Sequence, residues 1–234
     1  MNSWQALVER AVGSGVAAAE DSGGEADLRR RRTVAGVTFV IGSVVLGFTL
    51  AVRPGDSLFY VLTMCVAAIW VVGGRLSGPV PLGLDALRGR ALSAVSGAIL
   101  IGLVASAVFV VGALIVREIG PLRDYVEHVL SHARRGSAVA ITVVTVISGV
   151  AEEVFFRGGL FAALTRARPV LFSTMLYTLS TLATANPMLA FAALAMGGLL
   201  AAQRRASGGV LTPMITHVTW SVIMLFVLPP LLPS

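Results

Sequence analysis

The sequence predicts an all-α fold, a polytopic transmembrane helix bundle of about seven spans with the N-terminus in and the C-terminus out. Three observations predict it. Of 234 residues, 56% are hydrophobic and only 13% charged. The apolar residues fall in long runs separated by short loops that carry arginine, the pattern of a multi-pass membrane protein rather than of a soluble domain. The arginines are also biased to alternate loops, which follows the positive-inside rule.

Residues 1–20 place Trp4, Leu7, Val8 and Val12 beside Glu9 and Arg10 at helical spacing, which reads as a short amphipathic helix on the membrane surface. Asp21–Asp27 reads as a flexible acidic linker. Arg29–Arg32 form a basic block ahead of the first apolar run and hold the N-terminus in the cytoplasm. That run is too long and too far from the start for a cleaved signal peptide. The seven spans are Thr33–Val52, Ser57–Val72, Ala91–Val116, Ser137–Leu164, Val170–Ala185, Met188–Ala202 and Val210–Leu228. The fifth and sixth fall short of the ~20 residues a crossing needs. With the turn signal Asn186-Pro187 between them, they can also be read as one re-entrant hairpin.

With the N-terminus inside, the inner loops hold 11 arginines and the outer loops 5. Lysine is absent, and the net charge of +6 is spread over loop ends. That distribution forms no nucleic-acid stripe, so the expected partner is membrane lipid, not nucleic acid. The expected location is a bacterial inner or plasma membrane. The single cysteine, Cys65, can form no intrachain disulfide. Between Arg117 and Arg135 an outer amphipathic helix is expected, with Leu122, Tyr125, Val126, Val129 and Leu130 on one side. Asp124, His128 and His132 recur on another side at four-residue spacing, as residues of a solvated polar face. The HExxH pattern is absent, so neither a metal nor another cofactor is expected.

The chemistry concentrates in Ser148–Phe161, SGVAEEVFFRGGLF. An ionisable group at the centre of a membrane helix costs roughly 2.5–3.5 kcal/mol on insertion scales and reads as functional by default. Here Glu152, Glu153 and Arg157 lie within six residues. Glu153 and Arg157 are four apart with the acid on the N-terminal side, the better orientation for a pair. Glu152 points about 100° away. It is left without its own cation, as a carboxylate able to take a proton from water.

The run Glu152-Glu153-Val-Phe-Phe-Arg157, followed by Gly158-Gly159, resembles the first motif of the CPBP family, the CAAX prenyl proteases and bacteriocin-processing proteins, also called the abortive-infection family. The resemblance covers about Ser137 to Leu228. Its second motif, FxxxH, is matched by Tyr177 and Thr181, and its last, HxxxN, by His217 and Ser221. Helix rise places Glu152 and Thr181 each ~18 Å, and His217 ~12 Å, from the inner ends of their spans, so the three are expected at similar depth. The domains expected are thus 1–32 (cytoplasmic helix and linker), 33–136 (three spans and the outer helix) and 137–228 (a CPBP-like core of four spans).

The resemblance implies peptide hydrolysis within the membrane by glutamate- and histidine-activated water, a CAAX-type endopeptidase chemistry whose substrate is a peptide or membrane protein. Carried over by position, Glu152 is the base and Glu153 with Arg157 the supporting pair. His217 is a water or oxyanion ligand, and Ser221 a weaker oxyanion donor than asparagine. Tyr177 fills the aromatic position. Thr181 can hydrogen-bond a water but cannot accept and return its proton as histidine does. Two alternatives follow: a catalytically silent relative with an immunity, chaperone or scaffold role, and a proton-coupled transporter using Glu152. The transporter reading lacks the internal repeats of many such proteins.

Overall fold

The structure is a computed structural model that describes residues 25–84, 91–164 and 168–232. Its elements are α1 (Glu25–Thr49), α2 (Ser57–Leu76), α3 (Ala91–Val116), α4 (Gly120–Arg135) and α5 (Ala138–Glu152). A π-helical segment (Glu153–Gly159) and α6 (Leu160–Ala163) continue α5 directly. Then follow α7 (Pro169–Leu182), α8 (Pro187–Ser207) and α9 (Leu211–Leu231). Among the described residues, six helical stretches are long and apolar enough to cross a membrane: α1, α2, α3, the continuous Ala138–Ala163, α8 and α9. The outward faces of α1 (Val37, Val40, Ile41, Val44, Phe48) and α3 (Leu100, Val104, Val108, Val111, Ile115) are exposed and wholly apolar. That is what a lipid-facing surface requires, and the chain is a multi-pass membrane protein.

The spans expected, about seven, are found as six long helices and one short one, α7, whose 14 residues rise only about 21 Å. Several other expectations are corrected. The sixth span is not short: α8 runs to Ser207, past Ala202. Its helix continues because the buried Arg204 finds an acceptor, donating from Nε to the Arg157 carbonyl at 2.8 Å. Glu25–Asp27, expected in a flexible linker, are helical, as is the basic block. The acids sit in the first turn, where the helix dipole favours them, and Asp27 pairs with Arg31 at 2.8 Å. The expected helix in residues 1–20, and Arg88, Arg90 and Arg166 of the charge count, lie outside the described residues.

The outer helix is present as α4, but His132 is not on a solvated face. It is 3% exposed. Its ring nitrogens face the carbonyl oxygens of His128 and Val52 at 3.2 and 3.1 Å, and the ring packs on Phe59 at 4.7 Å. A buried imidazole needs such partners, and the α1–α2 turn supplies one. At the other side of α4, Arg134 donates to the carbonyls of Pro229 and Leu232, which α9 leaves unpaired at its end.

The core is an aromatic column where α2 meets the π segment. Trp70 stacks on Phe155 with centroids 4.6 Å apart, and Phe156 carries the contact on to Tyr177 of α7 at 4.8 Å. Small residues bring the backbones together, as in other membrane helix interfaces. A Cβ on Gly74 would lie 2.8 Å from the Val154 carbonyl oxygen, and one on Gly159 would lie 2.8 Å from the Gly74 carbonyl oxygen. Gly74→Val is therefore expected to push α2 off the π segment at a cost of about 1–3 kcal/mol. A melting curve in detergent that matches wild type would refute this packing.

Candidate active site

The site begins with a backbone irregularity. From Glu153 to Gly159 the helix is π, and the Leu160 N–H reaches back five residues to the Phe155 carbonyl. Such segments insert an extra residue and often mark functional sites. Here neighbouring helices take up carbonyls of the widened turn. Ser173 of α7 donates to the Phe156 oxygen at 2.8 Å, and Arg204 of α8 donates to that of Arg157. The π segment thereby presents Glu153 and Arg157 inward, both 0% exposed, while Glu152 at the end of α5 keeps 21% of its side chain accessible.

Arg157 Nη1 lies 3.1 Å from Glu153 Oε1, the ion pair expected from their spacing. The contact is electrostatic, because Nη1 makes no aligned hydrogen bond. Arg157 is further fixed by donating from Nη2 to the Gly197 carbonyl at 3.1 Å and by lying over the Tyr177 ring at 4.6 Å. Gly197 allows that approach: a Cβ there would stand 3.1 Å from the Tyr177 ring.

His217 comes from α9, whose position is set by its neighbour Thr216. The Thr216 hydroxyl donates to the Ala98 carbonyl of α3 at 2.8 Å and accepts from Gln203 of α8 at 3.0 Å. His217 is buried, with Nδ1 2.9 Å from Glu153 Oε1. An ionised carboxylate can only accept, so this contact assigns the hydrogen to Nδ1. In the neutral imidazole Nε2 is then an acceptor, and it faces Glu152 Oε2 at 3.9 Å. That separation exceeds a direct hydrogen bond but suits a bridging water. On the other side of Glu152, the Tyr177 hydroxyl donates to the same Oε2 at 2.5 Å.

The structure thus brings Glu152, Glu153, Arg157, Tyr177 and His217 together. Thr181 lies one turn beyond Tyr177, and its hydroxyl donates to the Tyr177 carbonyl of its own helix at 2.9 Å. Ser221, one turn beyond His217, lines a cavity of about 510 Å³. Phe109 of α3, Val126 and Leu130 of α4, Met188 of α8 and Trp220 also line it, and nearly all of the lining is apolar. Among the described residues Ser221 makes no hydrogen bond, and no group of three His, Cys, Asp or Glu side chains has the arrangement to hold a metal ion.

Sequence reasoning missed three features. The Glu153–His217 contact joins residues 64 apart and leaves no local signal. The Tyr177 hydroxyl was hidden in what reads as an aromatic position. Arg204 looks like one of two loop arginines, although its 0% exposure marks it as interior.

Comparison with known proteins agrees with this core. No curated protein and no solved structure matches the chain. A family model described as type II CAAX prenyl endopeptidase Rce1-like matches residues 134–223. That interval holds α5, the π segment, α6, α7, α8 and His217, that is, every residue that meets at Glu152. Residues 134–223 are thus similar to the Rce1-like type II CAAX prenyl endopeptidases, a family of proteases.

Proposed function

We propose that the protein is an intramembrane endopeptidase that hydrolyses a peptide bond with water activated by Glu152 and His217. The observation that carries the reading is the approach of two acceptors, Glu152 Oε2 and His217 Nε2, to 3.9 Å, with the imidazole held from behind by Glu153. A water between them gives one hydrogen to each. Glu152 takes a proton as the water oxygen bonds to the carbonyl carbon and the C=O π pair moves onto the carbonyl oxygen. As that pair re-forms the C=O bond the C–N bond breaks, and the proton passes to the leaving amine. A positioned base of this kind contributes roughly 10²–10⁴-fold. The tautomer assigned to His217 supports a role in holding the water rather than in donating to the oxyanion. The substrate is a peptide or a segment of a membrane protein, met in a bacterial inner membrane; nucleic acid is not a partner.

Purified protein in liposomes, offered a library of membrane peptides and read by mass spectrometry, tests the reading. Wild type is expected to cleave. His217→Ala is expected to lose at least about 10²-fold while still accumulating in the membrane. One observation favours a second reading, a catalytically silent relative. The Thr181 hydroxyl is committed to its own helix, so the second-motif position offers no proton carrier. Wild type that cleaves nothing, in a folded state, would favour that reading.

A further inference from the structure

Two groups converge on Glu152 Oε2: His217 Nε2 at 3.9 Å and the Tyr177 hydroxyl at 2.5 Å. Only the second is within hydrogen-bond distance. Among the described residues Glu152 Oε1 makes no hydrogen bond, and the side chain is partly accessible. The carboxylate is therefore anchored through Oε2, the oxygen that faces His217. Tyr177 is well placed to fix this arrangement. Its ring is 9% exposed, wedged between Phe156 at 4.8 Å and the Arg157 guanidinium at 4.6 Å, so its hydroxyl has little freedom. Thr181, four residues on, shares the same face of α7 but turns its hydroxyl back to the helix.

We propose that Tyr177 is a positioning residue of the reaction. Its hydroxyl holds Glu152 by Oε2 and so fixes that oxygen 3.9 Å from His217 Nε2, where the two acceptors share the water, a task that Thr181 leaves undone. The proposal rests on the peptidase reading for its kinetic consequence but not for the hydrogen bond itself. A hydrogen bond to a charged group lies on a stronger scale than one between neutral groups. A ring-stacked phenol also costs little conformational freedom, since aromatic side chains have few rotatable bonds.

Tyr177→Phe keeps the ring and removes the donor. It is expected to lower kcat roughly 10- to 100-fold, with KM and melting temperature unchanged. In that background, Thr181→His puts an imidazole on the same face within one turn and is expected to recover part of kcat. A second measurement needs no activity. An apolar carbodiimide reacts with carboxyl groups that carry a proton, and mass spectrometry reads the adduct on Glu152. Labelling is expected to be faster in Tyr177→Phe, where the hydroxyl no longer occupies Oε2. A Tyr177→Phe protein with wild-type kcat and wild-type labelling overturns the proposal, and so does a loss of kcat matched by a fall in melting temperature. Wild type that cleaves nothing overturns the peptidase reading alone, because the labelling difference still reports the hydrogen bond.

Discussion

Glu152→Gln is expected to abolish peptide cleavage while leaving the fold intact. Glutamine has the shape of glutamate, and its carbonyl oxygen can still accept the Tyr177 hydroxyl that glutamate holds at 2.5 Å. The site is 21% accessible and has no ion pair closer than the 3.9 Å contact to His217, so little stability depends on the charge. What disappears is the ability to take a proton from water. The loss should be about 10²–10⁴-fold in kcat, read on a membrane peptide in liposomes. The amount of protein in the membrane and its melting temperature should match wild type. A variant within a few-fold of wild-type kcat would sink the role of Glu152 as base.

Glu153→Ala is expected to have the largest effect on stability. Arg157 would remain charged, 0% exposed and without its acid, and His217 would lose the acceptor at Nδ1. Breaking a buried pair by removing one partner costs roughly 3–5 kcal/mol. That is a large part of the 5–15 kcal/mol that is usual for a folded domain, taken here as a rough guide. The protein should accumulate poorly or melt far below wild type. Replacing both partners (Glu153→Met with Arg157→Met) separates the two roles. Removing the whole pair is often neutral for stability, so the double variant should regain much of it. It should not regain activity, because nothing then orients His217. A stable Glu153→Ala protein would refute the buried pair as a structural element, and an active double variant would refute Glu153 as the group that orients His217.

The membrane class and most helices were legible because a bilayer leaves a strong one-dimensional signal. Ser57–Val72 and Ala91–Val116 were expected as spans, and helices start at those residues. The signal weakens wherever a polar residue has a distant partner. Arg204 looks like the end of a span until the Arg157 carbonyl is seen opposite it. His132 looks solvated until the Val52 carbonyl is seen beneath it. In the site, the Glu153–Arg157 pair could be read because four-residue spacing is local. The hydrogen bonds from Tyr177 to Glu152 and from His217 to Glu153 could not, because they depend on how three helices dock. The π segment was invisible because no residue in its run marks an inserted residue, whereas the Ser173 and Arg204 donors that use carbonyls of the wider turn come from other helices.

The π segment also sets how related chains should be compared. Removing one residue between Glu153 and Gly159 would let the ordinary four-back ladder close. The carbonyls of Phe156 and Arg157 would then be drawn back into that ladder, away from Ser173 and Arg204. The wide turn absorbs the extra residue, so its removal would leave the flanking helices facing as before and would shift the residues within the segment. Length here is therefore as informative as identity. An alignment that opens a single gap inside this interval would pair residues that no longer occupy the same place, however well their letters agree.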